Sequence, residues 1–326
     1  MVIIGISTYP LESGQEVVKR LMAQAPLPTY ITMKGPYSHS EAGVGVKVIA
    51  IYEFDGSKYS EAFEFIFARY AKYIGVPGFT SSFDRWVDNG KINLQFQTTK
   101  ESLQIAEESG DALSKGEAYV SHGISCYAKR LLGEAERYLF KGLEFCEKIK
   151  LASWDGCGQF HLGETYFEIG DFLKSKEYYE KGSLTLERYR ILPSWVLLGK
   201  VGSARSKVMN KEKDVDLGSL YAHSRNNKME VAKGWIQKCI GEILLNIDDQ
   251  HISEAEHWIQ KAIESDQRNR KMFHLGKDYA LYADLFKRKG DRSKAQENLG
   301  KAIEILKECG ADGWVEKYKK ELAMIS

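Results

Sequence analysis

Residues 253–265 read SEAEHWIQKAIES and residues 293–305 read SKAQENLGKAIEI, so Ser, Ala, Lys, Ala and Ile each return after 40 positions. The same register runs back through DVDLGSLYAHS (214–224), KSKEYYEKGSL (174–184) and GEAERYLFKGL (133–143). Its aligned small residues are Ala135, Ser175, Ala255 and Ala295, followed seven positions later by Gly142, Gly182, Ala222, Ala262 and Ala302. Seven residues make about two helical turns, so both small positions share one face and a neighbouring helix can approach there. A further small position lies 12 residues upstream, at Gly123, Gly163, Ser203 and Ala283. Between the two lies a break, clearest in EIGDFLKS (168–175) and RKGDRSKA (288–295). Gly170 and Gly290 suit a helix C-terminus, and Asp171 and Asp291 suit the next N-cap. Each 40-residue unit therefore reads as a helix, a tight turn and a second helix.

This small–12–small–7–small pattern resembles the tetratricopeptide repeat, and LGETYFEIGDFLKSKEYYEKG (162–182) carries it most fully. The usual repeat has about 34 residues; the longer period here is similar to that of bacterial regulatory proteins in which repeats follow an ATPase or sensor domain. The fourth unit departs from the pattern with Ile243 at a small position. The third departs at Val215, Ser206 and Ser219, which predicts a bend or loose loop near 207–229. ESLQIAEES (101–109) reads as the second helix of an incomplete first unit, and GWVEKYKKELAMI (313–325) as a terminal helix capping the stack.

The N-terminal part has a different grammar. Prolines 10, 26, 28, 36 and 77 fall there and only Pro193 lies beyond, so the later chain is free to be helical. VIIGISTY (2–9), YITMKGPYS (30–38), VKVIAIYEF (46–54) and FTSSFDRWV (79–87) read as strands, with an EAGVG turn joining the second and third. SGQEVVKRLMAQ (13–24) and SEAFEFIFARYAKYIG (60–75) read as helices. The order β-α-β-β-α-β is that of a ferredoxin-like unit. In outline it resembles the small dimeric α/β-barrel domains, whose members include small monooxygenases and haem-degrading enzymes. The predicted fold is thus an α+β ferredoxin-like domain over 1–97, followed by an all-α tetratricopeptide-like superhelical repeat domain over 98–326.

Composition narrows the function. Basic and acidic residues number 46 and 45, which gives no electrostatic reason to expect nucleic acid or an anionic membrane. No apolar stretch approaches the length of a membrane span. The N-terminal apolar run has no basic lead-in. Five scattered cysteines, at 126, 146, 157, 239 and 309, suit a reduced, cytoplasmic protein. GxxxxGK[ST], GxSxG and HExxH are missing.

The expected function is a non-catalytic scaffold that binds a protein or peptide partner along the concave face of the repeats, dimerised through 1–97. Helical phase assigns Ile124, Tyr127, Phe160, Glu164, Phe167, Leu197, Lys200, Ile240 and Leu244 to that face, with Lys207, Gln237, Lys277 and Asp284 beside them. No cofactor or metal is expected. His122 with Cys126 and Cys157 with His161 have ligand spacing, but the pairs are about a turn out of phase. The alternative is a small-ligand sensor or monooxygenase-like enzyme in the first domain, with the repeats as docking arm. There Lys34, Tyr37 and His39, facing Arg69, Tyr70 and Tyr73, suit a small anion or aromatic ligand; no carboxylate is placed to orient His39 as a base.

Overall fold

The structure, a computed structural model, describes residues 2–41, 45–86, 92–212 and 214–325. It divides into two compact units, Met1–Asp88 and Asn89–Ser326. The first contains β1 (Val2–Tyr9), α1 (Gly14–Met22), β2 (Thr32–Glu41), β3 (Gly45–Glu53), α2 (Tyr59–Ala71) and β4 (Thr80–Trp86). The sheet order is β2-β3-β1-β4, antiparallel throughout, which is the ferredoxin-like arrangement. The expected turn at 42–44 lies outside the described residues.

Alternation explains the sheet. Along β1, Ile3, Gly5, Ser7 and Tyr9 are buried, while the residues between them are half-buried on the opposite face. On that opposite face Ile4 pairs with Ile51 and Ile6 with Ile49. The β2–β3 pairing slips between Lys34 and Tyr37, where Gly35 and Pro36 interrupt the ladder.

Among the described residues the elements of the second unit are all helical. Its helices are α3 (Ile92–Ser109), α4 (Ala112–Ala128), α5 (Leu132–Lys148), α6 (Ala152–Ile169), α7 (Phe172–Arg188), α8 (Pro193–Met209), α9 (Leu217–Asn226), α10 (Glu230–Ile247), α11 (Ile252–Arg268), α12 (Met272–Arg288), α13 (Arg292–Cys309) and α14 (Asp312–Ile325). The 97/98 division drawn from the sequence falls inside α3, which joins the array from its first turn: Ile92 is buried, and Thr99 Oγ1 lies 3.1 Å from His122 Nδ1 on α4. No helix among the described residues is long and apolar enough to cross a membrane.

The hairpins form where the caps direct them. Gly170 and Gly290 adopt left-handed φ of 93° and 76°. The Asp171 and Asp291 carboxylates accept from the amides of Lys174 and Lys294 at 3.1 and 3.0 Å. The small positions bring helices close: a Cβ on Gly163 would stand 2.9 Å from the Tyr179 ring. In the fourth unit Gly241, two positions before Ile243, takes this place against Ile259. The reason is a longer connection, in which Asp248 caps a short 3-10 turn before α11. In the third unit the second helix, α9, shrinks to 10 residues.

The array closes on itself. The Trp314 indole N–H on α14 donates to Tyr127 O on α4 at 3.3 Å. Lys129 Nζ donates to Gly310 O at 3.0 Å and pairs with the Asp312 carboxylate. The inner helices α4, α6, α8, α10 and α12 therefore enclose an interior rather than an open groove.

Candidate functional site

Three inner helices present their side chains to that interior in turns. On α6 the series is His161, Glu164 and Glu168; on α10 it is Trp235, Lys238 and Glu242; on α12 it is His274, Lys277 and Leu281. Steps of three or four residues keep each series on one helix face. The result is an aromatic layer, a charged layer and a second mixed layer.

Most of the charged layer pairs within itself, although Arg205 Nε is buried without a partner among the described residues. Arg205 Nη2, from α8, donates to Glu164 Oε1 and to the Tyr179 hydroxyl, both at 2.8 Å. The Tyr179 hydroxyl also donates to Glu164, and the Tyr127 hydroxyl donates to Glu164 Oε2 at 3.0 Å. Lys277 Nζ donates to Tyr127 at 2.7 Å and to Glu168 Oε1 at 2.9 Å. Lys317 approaches the other Glu168 oxygen at 3.5 Å. Burial would raise the Glu164 carboxyl, but Arg205, with Lys238 and Lys277, holds it well below the usual carboxylate range. Burial likewise opposes ionisation of Glu168, yet Lys277 and Lys317 hold it at about 2.

The aromatic layer is different. Trp235 packs edge-on against Phe160, with ring centroids 5.1 Å apart, and lies 4.5 Å from the His274 ring. Three ring nitrogens here, His161 Nδ1, Trp235 Nε1 and His274 Nδ1, are buried without a hydrogen-bond partner among the described residues. Burial pushes His161 down to about 4 and His274 well below its usual value, so both are neutral near pH 7. These three rings line a cavity of about 200 Å³. Gln95, Ile124, Tyr127, Met272 and Phe273 are among its other walls, and Arg270 and Lys271 join them as cations. Beyond the charged layer lies a second cavity of about 320 Å³, bounded by Glu168, Arg205, Lys238, Glu242, Lys277 and Lys317 among others.

A tetratricopeptide-repeat family model matches residues 158–182, which cover most of the α6–α7 hairpin. Among solved structures, the apo form of RapI aligns over 77% of this chain and 94% of its own, with 11% identity and a TM-score of 0.56. A Rap protein complexed with competence and sporulation factor aligns over 72% of each chain, with 12% identity and a TM-score of 0.51. The second unit is a tetratricopeptide-like helical repeat array. BtubC from P. vanneervenii also aligns, over 66% of this chain and 90% of its own, at 16% identity and a TM-score of 0.44. No curated protein matches the sequence. At these identities the likeness is one of fold.

Closure of the tetratricopeptide-like array redistributes the residues assigned to an open concave face. Ile124 and Tyr127 line the aromatic cavity. Tyr127 and Glu164 belong to the charged layer, and Phe167 borders the second cavity with its ring 3.6 Å from the Arg205 guanidinium carbon. Phe160, Ile240 and Leu244 are core residues rather than surface ones, because the neighbouring inner helices cover them. Leu197 is half-buried, and Lys200 is exposed and pairs with Glu187 at 2.6 Å. Of the flanking residues, Gln237 accepts from the Ser265 hydroxyl at 2.7 Å, and Asp284 pairs with Lys287 at 2.8 Å.

Helical phase missed Arg205, Trp235 and His274. Arg205 is a charge on a helix otherwise rich in small and apolar residues, a signal that was available. His122 packs between Phe96 and Tyr138. Among the described residues no three His, Cys, Asp or Glu side chains gather as a metal-ligand set.

In the first unit, Arg69, Tyr70 and Tyr73 line a separate cavity. Lys34, Tyr37 and His39 do not join them. Lys34 pairs with Glu53 at 2.8 Å, and all three are exposed along β2, an edge strand.

Proposed function

We propose that this chain is a non-catalytic, cytoplasmic interaction scaffold whose repeat array receives a peptide segment in its interior, by way of the aromatic cavity. The observation that carries this reading is the set of three partnerless ring nitrogens beside Tyr127 and Phe273, with Arg270 and Lys271 at the same wall. Buried polar groups without partners cost stability, so a ligand that satisfies them gains. Aromatic walls with donors and two cations suit an apolar side chain next to a carboxylate, as at a peptide's chain end. The likeness to a Rap protein complexed with competence and sporulation factor agrees with such a use of the fold.

The same reading gives the first unit, 1–97 in the division drawn above, a dimerising role. The half-buried aliphatic face carrying Ile4, Ile6, Ile49 and Ile51 would pair with its copy. Ile4→Asp with Ile49→Asp should convert a dimer to a monomer in light scattering.

Met272→Trp fills the array cavity and Lys271→Glu reverses its charge. Each should abolish capture of the peptide partner from native lysate, whereas Lys200→Glu, on the exposed surface, should not. Capture that survives Met272→Trp would refute the interior site.

A further inference from the structure

The cavity of the ferredoxin-like unit lies between the sheet and its helices, and the sequence leaves it empty by a specific choice of residues. Inward positions of β1 and β3 ordinarily carry bulky aliphatics, but here they include Gly5, Ser7 and Ala50. At Gly5 the space is taken, because any Cβ there would overlap the Tyr70 hydroxyl arriving from α2. One step along the strand, at Ser7, nothing comparable fills the gap. What remains is a cavity of about 200 Å³. An apolar cavity of about 150 Å³ takes up benzene, so this one has room for one ring and a small substituent.

Its walls define the chemistry of an occupant. Tyr9, Phe79 and Tyr73 form a run of rings, with Tyr73 and Phe79 stacked at 4.6 Å, which offers a flat apolar surface. Ser7 and Tyr9, both buried, each add a hydroxyl-bearing side chain to the same wall. Arg69 is the sole charged side chain among the described residues that line it, and its Nε is buried without a partner. Tyr70 is raised by burial and by its neighbour Tyr52, and Tyr73 by burial, so both hydroxyls keep their protons and can donate to an anion. Val18 and Leu21 of α1 line the same space while remaining 49% and 38% exposed, so apolar side chains flank an opening to solvent.

We propose that this cavity is a binding site for a single-ring aromatic carboxylate. The ring lies against Tyr73 and Phe79, and the carboxylate meets Arg69 and the tyrosine hydroxyls. The site stands independently of the peptide reading of the repeat array.

The test uses the full chain and ligand-detected NMR with calorimetry, with benzoate and 4-hydroxybenzoate as acids and benzyl alcohol as the neutral control. Benzoate should bind saturably and at least tenfold more tightly than benzyl alcohol. Arg69→Met should erase that preference, and Arg69→Lys should restore part of it. Because Arg69 also caps Ala25 O, a second variant guards against misfolding. Ser7→Leu fills the cavity with an apolar side chain and should abolish binding of all three probes at an unchanged or higher melting temperature. Saturable benzoate binding that persists in Ser7→Leu would overturn the proposal. So would absence of binding in the native protein, or an acid preference untouched by Arg69→Met.

Discussion

Lys277 Nζ lies 2.7 Å from the Tyr127 hydroxyl, a residue 150 positions earlier in the chain. In a stack where each repeat touches only its neighbours, no such contact forms. Here α12 and α14 return to α4, and the ends of the array are tied through Lys277, Trp314 and Lys129. The interior thereby becomes a core, with a charged layer where an open groove would hold solvent.

That layer should be costly to break. Lys277→Met removes the cation between Tyr127 and Glu168 and leaves Glu168 with Lys317 alone, at 3.5 Å. Removing one partner of a buried pair costs about 3–5 kcal/mol. Lys317→Met removes a cation that is 31% exposed and should cost about 1 kcal/mol or less. Urea unfolding of the two variants checks this. Equal midpoints would show that the Lys277 contact does not hold the closure.

Acid should act on the same layer. Glu164 and Glu168 are depressed in the folded state, so their stabilisation is present above the ordinary carboxylate range and is lost as pH falls toward about 2. Asp266 and Asp278 have the opposite sign. Burial first, and for Asp278 the neighbouring Asp266, raise both despite Lys238 nearby, with Asp266 at about 6. The folded state then binds more protons than the unfolded one, so their contribution falls as pH rises through that range. Asp278→Asn should therefore raise the melting temperature at pH 8 and change it little at pH 4. A shift of the same size at both values would contradict the assignment.

The helical hairpins were legible because their signals are local. A Gly–Asp break, a cap and two small residues seven apart need no knowledge of the rest of the chain. The sheet was legible through period-two alternation in VIIGISTY and its partners. The interior was not, because closure depends on the superhelical pitch, which accumulates over five hairpins. Helical phase assigned Phe160 to an open inner face, but could not show that Trp195 of α8 and Trp235 of α10 would cover it. The slip from Ile243 to Gly241 was hidden for a smaller reason, since the longer connection at Asp248–His251 moves the register without changing the 40-residue spacing of α11.

Ala255 and Ala295 test the hairpin contacts. Both are fully buried at the second-helix small position. Ala255→Trp and Ala295→Trp should each lower the melting temperature or loosen the array, since overpacking costs about 1–3 kcal/mol and sometimes more. Unchanged thermal unfolding by circular dichroism in both would remove the repeat packing described here.

Phe160 and Phe167 separate an open groove from a closed interior. If they faced a groove, truncating both would weaken partner capture and spare stability. The structure gives the opposite expectation. Phe160 is 3% exposed, with the Tyr179, Trp195 and Trp235 rings within 5.2 Å. Phe167 lies beneath the Arg205 guanidinium, whose carbon is 3.6 Å from its ring centre. Phe160→Ala should cost about 3–5 kcal/mol as an unfilled core site. Phe167→Ala should cost a similar amount, and Phe167→Leu, which keeps volume but loses the ring face under Arg205, about 1–2 kcal/mol. Chemical denaturation of the three variants measures these values. A double alanine variant that melts at the native temperature yet loses its partner would restore the open groove and reject the closed interior.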